Sequence, residues 1–444
     1  MTEKWENQAV FSEFDIGLND QSVSLYSGNA VLWVGGSKFD VSCECYLKLI
    51  PEPIIQISVT KGIGYRPIEF NDELRMSFEE NLDFELLPIR HWYDSVSGEK
   101  NIIGVLRNEP SLVSAVQPNA DRVEFHLFDF VKFCRSGCMS ISDMGSLSRM
   151  KLKSENYEIT LNSLDNTEEN IKATKEDGVV RLTHMGVLCK NDGSNLTFDE
   201  YMSLQLELSS FLTFLKGGRT WPCLITGYSG GTSAFRALSA PIASKNGQSW
   251  FDPYSASDAE NLYPLFSSLW AKSVEWKSCL TGVIYWYAQS NTRGGNPGID
   301  ACIILAQTAV EKLAYQYLVV DRNIISPNGF DKLMASDKIR MIGSCLGIPL
   351  HIQPVTENIY RESTVTKWCD IPHALTDIRN SLVHPKNKKY QDSIQECYLE
   401  ALRLFMWLLD LSVLAVCGYM GQYKNRLEVP YCPRTPVPWV AKEY

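Results

Sequence analysis

The chain has 444 residues, 45% of them apolar and 21% charged, enough for two or three domains with their own cores and unlike a disordered or fibrous protein. Its net charge of -10 excludes a protein that coats nucleic acid by charge alone. The acid is unevenly placed, however: Gly298 to Tyr444 holds 16 Lys+Arg against 15 Asp+Glu, the remainder 26 against 37, so the C-terminal third is free to meet a polyanion.

The first part of the chain alternates. In "FDVSCECYLKL", Phe39, Val41, Cys43, Cys45, Leu47 and Leu49 share one face at a period of two, which predicts a half-buried strand with both cysteines pointing inward. "RVEFHLFDF" and "NYEITLNSL" repeat the pattern through Val123, Phe125 and Leu127, then Tyr157, Ile159 and Leu161. Turn-forming runs such as "VGGS" and "QPNAD" separate the strands. Residues 1–195 therefore predict an antiparallel β-domain, sandwich-like in architecture, and the chain as a whole an α+β protein.

The period then changes. Thr197 and Glu200 form a capping box, Tyr201, Leu204, Leu208, Phe211, Leu212 and Leu215 follow at helical spacing, and Gly217-Gly218 end the run. Residues 196–290 predict a helical connecting region, aromatic-rich and helical over Leu262 to Tyr287. "GYSGG", Gly227 to Gly231, matches the G-x-S-x-G pattern of a serine hydrolase nucleophile, Ser229. That chemistry needs α/β alternation downstream, which the sequence does not offer, so a glycine-rich turn between strands is the better expectation.

"SNTRGGNPG", Ser290 to Gly298, marks the clearest domain boundary, and residues 291–444 predict a helical bundle. Asn296-Pro297 suits a helix start, after which Ile299, Ile303, Ala306, Val310, Leu313 and Tyr317 step by three and four. A second helix is expected near Ser336 to Leu346, a third over "ALTDIRNSLVH", and a fourth from Asp392, with Gln395 as capping partner, to Gly418. Leu402 to Tyr419 is apolar, but Arg403 and Asp410 interrupt it short of the ~18 residues a membrane span requires. It reads as a buried helix, and no membrane partner is expected. Thirteen cysteines, an odd number without framework spacing, suggest reduced and mostly buried thiols. "MTEKWENQ" lacks the basic and apolar regions of an export signal, and a cytoplasmic location is expected.

The chemistry lies at the end of the third helix. Pro385 disfavours helical geometry at His384, so the helix should close there. Asn380 and His384 share a face, Asp377 nearly shares it, and the long side chain of Arg379 can swing towards it. Lys386, Lys388 and Lys389 follow at once. Cutting RNA without a metal needs a group that moves protons near neutral pH, histidine's work, and a fixed cation for the charge building on the phosphorane, which a planar guanidinium supplies. Arginine and histidine near a helix C-terminus are also ordinary partners of the helix dipole. No C-x-x-C begins a zinc site, His91 has no second histidine at ligand spacing, and "LKGGRT" is not a phosphate-binding loop, so no metal or cofactor is expected.

"IRNSLVHP" resembles the R-N-x-x-x-H motif of the HEPN superfamily, many of whose members are ribonucleases. The resemblance extends to "AQTAVEKLA", "SDKIRMIGSCLGIP" and "GYMGQYKNRL", and, with a β-rich N-terminal domain, to the ApeA-type HEPN proteins of bacterial antiphage defence. It implies a HEPN bundle carrying Arg379 and His384 as catalytic residues, Asn380 and Asp377 in support, and Lys386, Lys388 and Lys389 against RNA. It also implies a homodimer with one composite site, an RNA substrate with tRNA a candidate, and growth arrest during infection. A different class stays open: a sensing or binding protein whose bundle only dimerises or holds a ligand, and whose acidic β-domain recognises a phage-derived trigger.

Overall fold

The structure, a computed structural model, describes residues 22–48, 54–63, 68, 72–78, 82–94, 98–106, 111–115, 117–133, 148–164, 167–177, 180–238, 247–291, 298–383, 391–428 and 432–440. The chain is α+β, β-rich towards the N-terminus and helical towards the C-terminus, and it divides into two compact units. The first takes the described residues of 1–134, 138–205 and 220–243; the second takes those of 206–219 and 244–444.

In the first unit, strands β1 (Ser22–Val34), β2 (Ser37–Lys48), β3 (Ile54–Lys61), β4 (Leu74–Phe78), β5 (Leu82–Tyr93) and β6 (Lys100–Leu106) close into a barrel in the order β1-β2-β3-β6-β5-β4. This corrects the expected sandwich. Alternation shows that each strand buries one face, but it is silent on whether the two edges of a sheet meet. Here β1 pairs with both β2 and β4, and irregularities at Ser24/Tyr26, Ser42/Cys43 and Pro88/Arg90 bend the strands towards closure. The β1–β2 turn is Gly35-Gly36, both at positive φ (53° and 79°), as a two-residue hairpin demands. Val41, Cys43, Cys45 and Leu47 of β2 lie in the barrel core as the alternation predicts, with Phe39 packed against it; Leu49 lies outside the described residues.

The same unit holds a seven-stranded antiparallel sheet. Its strands are β7 (Ser111–Ala115), β9 (Arg122–Phe128), β10 (Arg149–Lys153), β11 (Tyr157–Ser163), β12 (Leu182–Lys190), β14 (Cys223–Ser229) and β15 (Thr232–Leu238), in the order β10-β11-β12-β9-β14-β15-β7. The short strands β8 (Asn119–Ala120) and β13 (Leu196–Thr197) pair with each other, and helix α1 (Thr167–Asp177) joins β11 to β12. Strands therefore continue past residue 195, beyond the boundary expected for the β-domain, and β14 and β15 flank the glycine-rich turn expected at Gly227 to Gly231. Helix α2 (Phe198–Lys216) begins at the expected capping box: Glu200 Oε2 accepts the Thr197 N–H at 2.8 Å and Thr197 Oγ1 accepts the Glu200 N–H at 3.2 Å.

The second unit is helical. The aromatic-rich region expected to be helical over 262–287 is two helices, α3 (Ala256–Lys272) and α4 (Val274–Ser290), because Ser273 is extended and its hydroxyl caps α4 by accepting the Trp276 N–H at 3.2 Å. Helix α5 (Ile299–Tyr315) runs on into a π-helical turn, Gln316–Asp321. Helices α6 (Pro327–Asp331), α7 (Ala335–Cys345), α8 (Glu357–Thr366) and α9 (Ile371–Val383) follow, and a turn at Cys397 splits the expected fourth helix into α10 (Gln391–Glu396) and α11 (Tyr398–Val416). Helices α5, α7, α9 and α11 pack on one another, α5 against α7 and α11, and α9 against both of these. Val310, Leu313, Ile342, Ile378, Leu404 and Leu411 are among their buried side chains. No helix among the described residues is long and apolar enough to cross a membrane; α11 is instead a core helix. A small hairpin, β16 (Gln422–Lys424) and β17 (Arg434–Pro436), follows it.

Candidate functional site

Helix α9 is anchored at its start. Asp370 Oδ1 accepts the His373 N–H at 2.9 Å and so caps the first turn, while Pro372, inside that turn, has no N–H to satisfy. Arg340 of α7 grips the same carboxylate with Nε at 2.6 Å and Nη2 at 3.0 Å, and also bonds Asp337. Burial alone would raise the Asp370 carboxyl, but these bonds outweigh it and hold the group below the usual carboxylate range. Ile371, Ala374, Leu375 and Ile378 then bury one stripe of the helix. That orientation leaves Asp377 exposed and Arg379 and Asn380 half-buried on the last turns.

Arg379 leans towards its neighbour, with Nη1 3.4 Å from Asn380 Oδ1. Its Nε is buried and has no hydrogen-bond partner, and Thr376 Oγ1, one turn earlier, is in the same condition. Among the described residues no carboxylate pairs with Arg379. A partly desolvated guanidinium without a counterion is costly, and a planar fork left in that state is suited to an anion arriving from outside. Asp377 turns the other way: its Oδ2 accepts the Trp368 indole N–H at 3.0 Å and lies 3.8 Å from His373 Nε2. The structure therefore brings Arg379 and Asn380 together and places Asp377 with Trp368 and His373. His384, Lys386, Lys388 and Lys389 lie outside the described residues, as do Asn296 and Pro297; α9 is described to Val383.

Sequence reasoning passed over Cys369 and His373, whose thiol sulfur and ring Nδ1 are 3.4 Å apart. The signal was available: Cys369, His373 and Asp377 recur every four residues, one face of a helix. Ser229 occupies a hairpin. It pairs with Thr232 across Gly230-Gly231, both at positive φ, and its carbonyl accepts the Thr232 hydroxyl at 2.9 Å. A nucleophile elbow joins a strand to a helix, whereas this turn joins β14 to β15. Among the described residues no group of three or more His, Cys, Asp and Glu side chains is arranged to hold a metal ion.

Fold and site together define a β-rich unit and a helical unit in which Arg379, on the last turns of α9, has no carboxylate partner among the described residues. Residues 116–248 match the family described as the YopA central domain, and residues 273–435 match the YopA C-terminal domain, which takes in α9 entirely. Over 457 aligned residues the chain is 26% identical to the SPbeta prophage-derived uncharacterized protein YopA of Bacillus subtilis (strain 168), with 98% of each chain covered. No solved structure matches the chain.

Proposed function

We propose that this chain is an endoribonuclease of HEPN type, cutting RNA by attack of a 2′-hydroxyl on the adjacent phosphate without a metal. The observation that carries this reading is Arg379, half-buried, leaning on Asn380, and without a carboxylate partner among the described residues. In the proposed reaction its guanidinium neutralises the phosphorane while His384 moves protons to and from the 2′- and 5′-oxygens. Asn380 orients the guanidinium, while Asp377, expected beside it, is engaged by Trp368 and His373; Lys386, Lys388 and Lys389 hold the backbone phosphates. One histidine and one arginine per chain are too few for separate acid and base. The proposal therefore includes a homodimer whose two-fold axis apposes two copies of the motif. A defence role, with the β-rich unit answering a phage-derived trigger, accords with the prophage origin named for the Bacillus subtilis relative.

The engagement of Asp377 with Trp368 and His373 favours a second reading, a sensing or binding protein whose helices do no chemistry. The two separate in cells. Expression of the wild-type chain should fragment cellular RNA, tRNA included, and arrest growth, while His384→Ala should leave both RNA and growth intact. Equal RNA integrity in the two strains under infection would favour the binding reading.

A further inference from the structure

We propose that Cys369, His373 and Asp377 form a second site on α9, a nucleophilic thiol that reacts with hydroperoxides, independent of any RNA chemistry. Cys369 Sγ lies 3.4 Å from His373 Nδ1, which also faces the Cys369 N–H at 3.4 Å. The Cys369 N–H can only donate, which assigns the lone pair to Nδ1 and the ring proton to Nε2, 3.8 Å from Asp377 Oδ2. This is the tautomer a general base requires, with the carboxylate holding the far side of the ring. Asp377 is itself fixed by the Trp368 indole N–H at 3.0 Å.

Charged and polar groups crowd the sulfur. Cys369 directly precedes the capping residue of a 13-residue helix, where free backbone N–H groups carry partial positive charge. The Arg340 guanidinium also faces it. The opposing groups are Asp370, within hydrogen-bond reach of the thiol, and Asp337; Arg340 engages both carboxylates. Access is equally specific. Eleven cysteines are described as free thiols and eight are buried; Cys345 and Cys369 are exposed. A hydroperoxide is small and needs access rather than a shaped cavity. His373 Nδ1 takes the thiol proton and the sulfur attacks the terminal peroxide oxygen. The S–O bond forms as the O–O bond breaks, and the leaving hydroxide or alkoxide recovers the proton from His373. The sulfur is oxidised to a sulfenic acid and the hydroperoxide is reduced to water or an alcohol.

Cys345, exposed on the same unit at the end of α7, is the internal control. The full chain is treated with iodoacetamide, or with hydrogen peroxide and dimedone, and each cysteine is followed by peptide mass spectrometry. Cys369 should react about tenfold or more faster than Cys345 at neutral pH, because His373 is placed to take its thiol proton. His373→Gln should bring it down to the Cys345 rate and abolish dimedone labelling. Equal rates in the wild type, or a Cys369 rate untouched by H373Q, would overturn the proposal. If H373Q also opens the buried Cys397 and Cys417 to the reagent, Asp377→Asn decides: slower Cys369 labelling beside unchanged Cys345 labelling supports the site, and unchanged Cys369 labelling refutes it.

Discussion

His184 shows how a titratable side chain can be built wholly into a core. Its ring is inaccessible to solvent, stacked on Phe133 at 5.0 Å between centroids and met edge-on by Phe130 at 5.3 Å. Thr183 Oγ1 accepts the Phe130 N–H and donates to the Leu127 carbonyl, so towards His184 Nδ1 at 2.9 Å it can only accept again. Ser163 then donates to Nε2 at 3.1 Å, and the ring is neutral. Burial pushes its pKa down from 6.5 to about 3. The unfolded chain therefore binds a proton that the folded chain refuses between these values, and stability is lost as the pH falls from 6.5 towards 3. Urea midpoints measured from pH 7 to pH 4 should fall more steeply for the wild type than for His184→Gln. Parallel profiles would show that His184 is not the acid-labile group.

At the scale of elements, the helical unit is clasped by a buried polar network. Asp410 of α11 is fully buried, its Oδ2 accepting Arg426 Nε at 2.6 Å and its Oδ1 the Tyr287 hydroxyl of α4 at 2.8 Å. Arg426 also donates to Tyr287 Oη at 3.0 Å, to the Gln248 carbonyl at 3.0 Å and to Asn291 Oδ1 at 3.3 Å. Asp410→Ala would strand a buried guanidinium and should cost about 3–5 kcal/mol, while pairing it with Arg426→Met should recover much of the loss. Chemical denaturation of the four variants measures this, and an additive double variant would contradict it. The sequence showed Asp410 only as a charge interrupting an apolar run. Its partner lies 16 residues away beyond a turn, a distance no helical period reports. The capping box at Thr197/Glu200 and the alternation of β2 were legible because both signals are local. Barrel closure and the break at Ser273 were not, since strand edges meeting and one extended serine are settled by packing.

For the whole molecule, the division into a β-rich and a helical unit was visible in the change of hydrophobic period. The strands β14 and β15, returning after α2, showed only through the glycine-rich turn between them, and their place in the sheet beside β9 and β7 was not legible. At the candidate site, the nearness of Arg379 to Asn380 followed from adjacency in sequence, whereas the turn of Asp377 towards Trp368 depended on an indole donor arriving from the segment before α9. Cys369 stands exposed beside His373, where composition alone would place it among buried thiols. The proposed chemistry assigns proton transfer to His384 and charge neutralisation to Arg379. It therefore makes one demand on the intact protein. Purified full-length chain is incubated with total RNA in excess EDTA, and the new ends are mapped. Cleavage should leave 2′,3′-cyclic phosphate and 5′-hydroxyl ends and be lost in Arg379→Ala and in His384→Ala while their melting temperatures stay within a few degrees of the wild type. Cleavage that stops on chelation and returns with Mg²⁺ or Mn²⁺, or that proceeds undiminished in both variants, would contradict it.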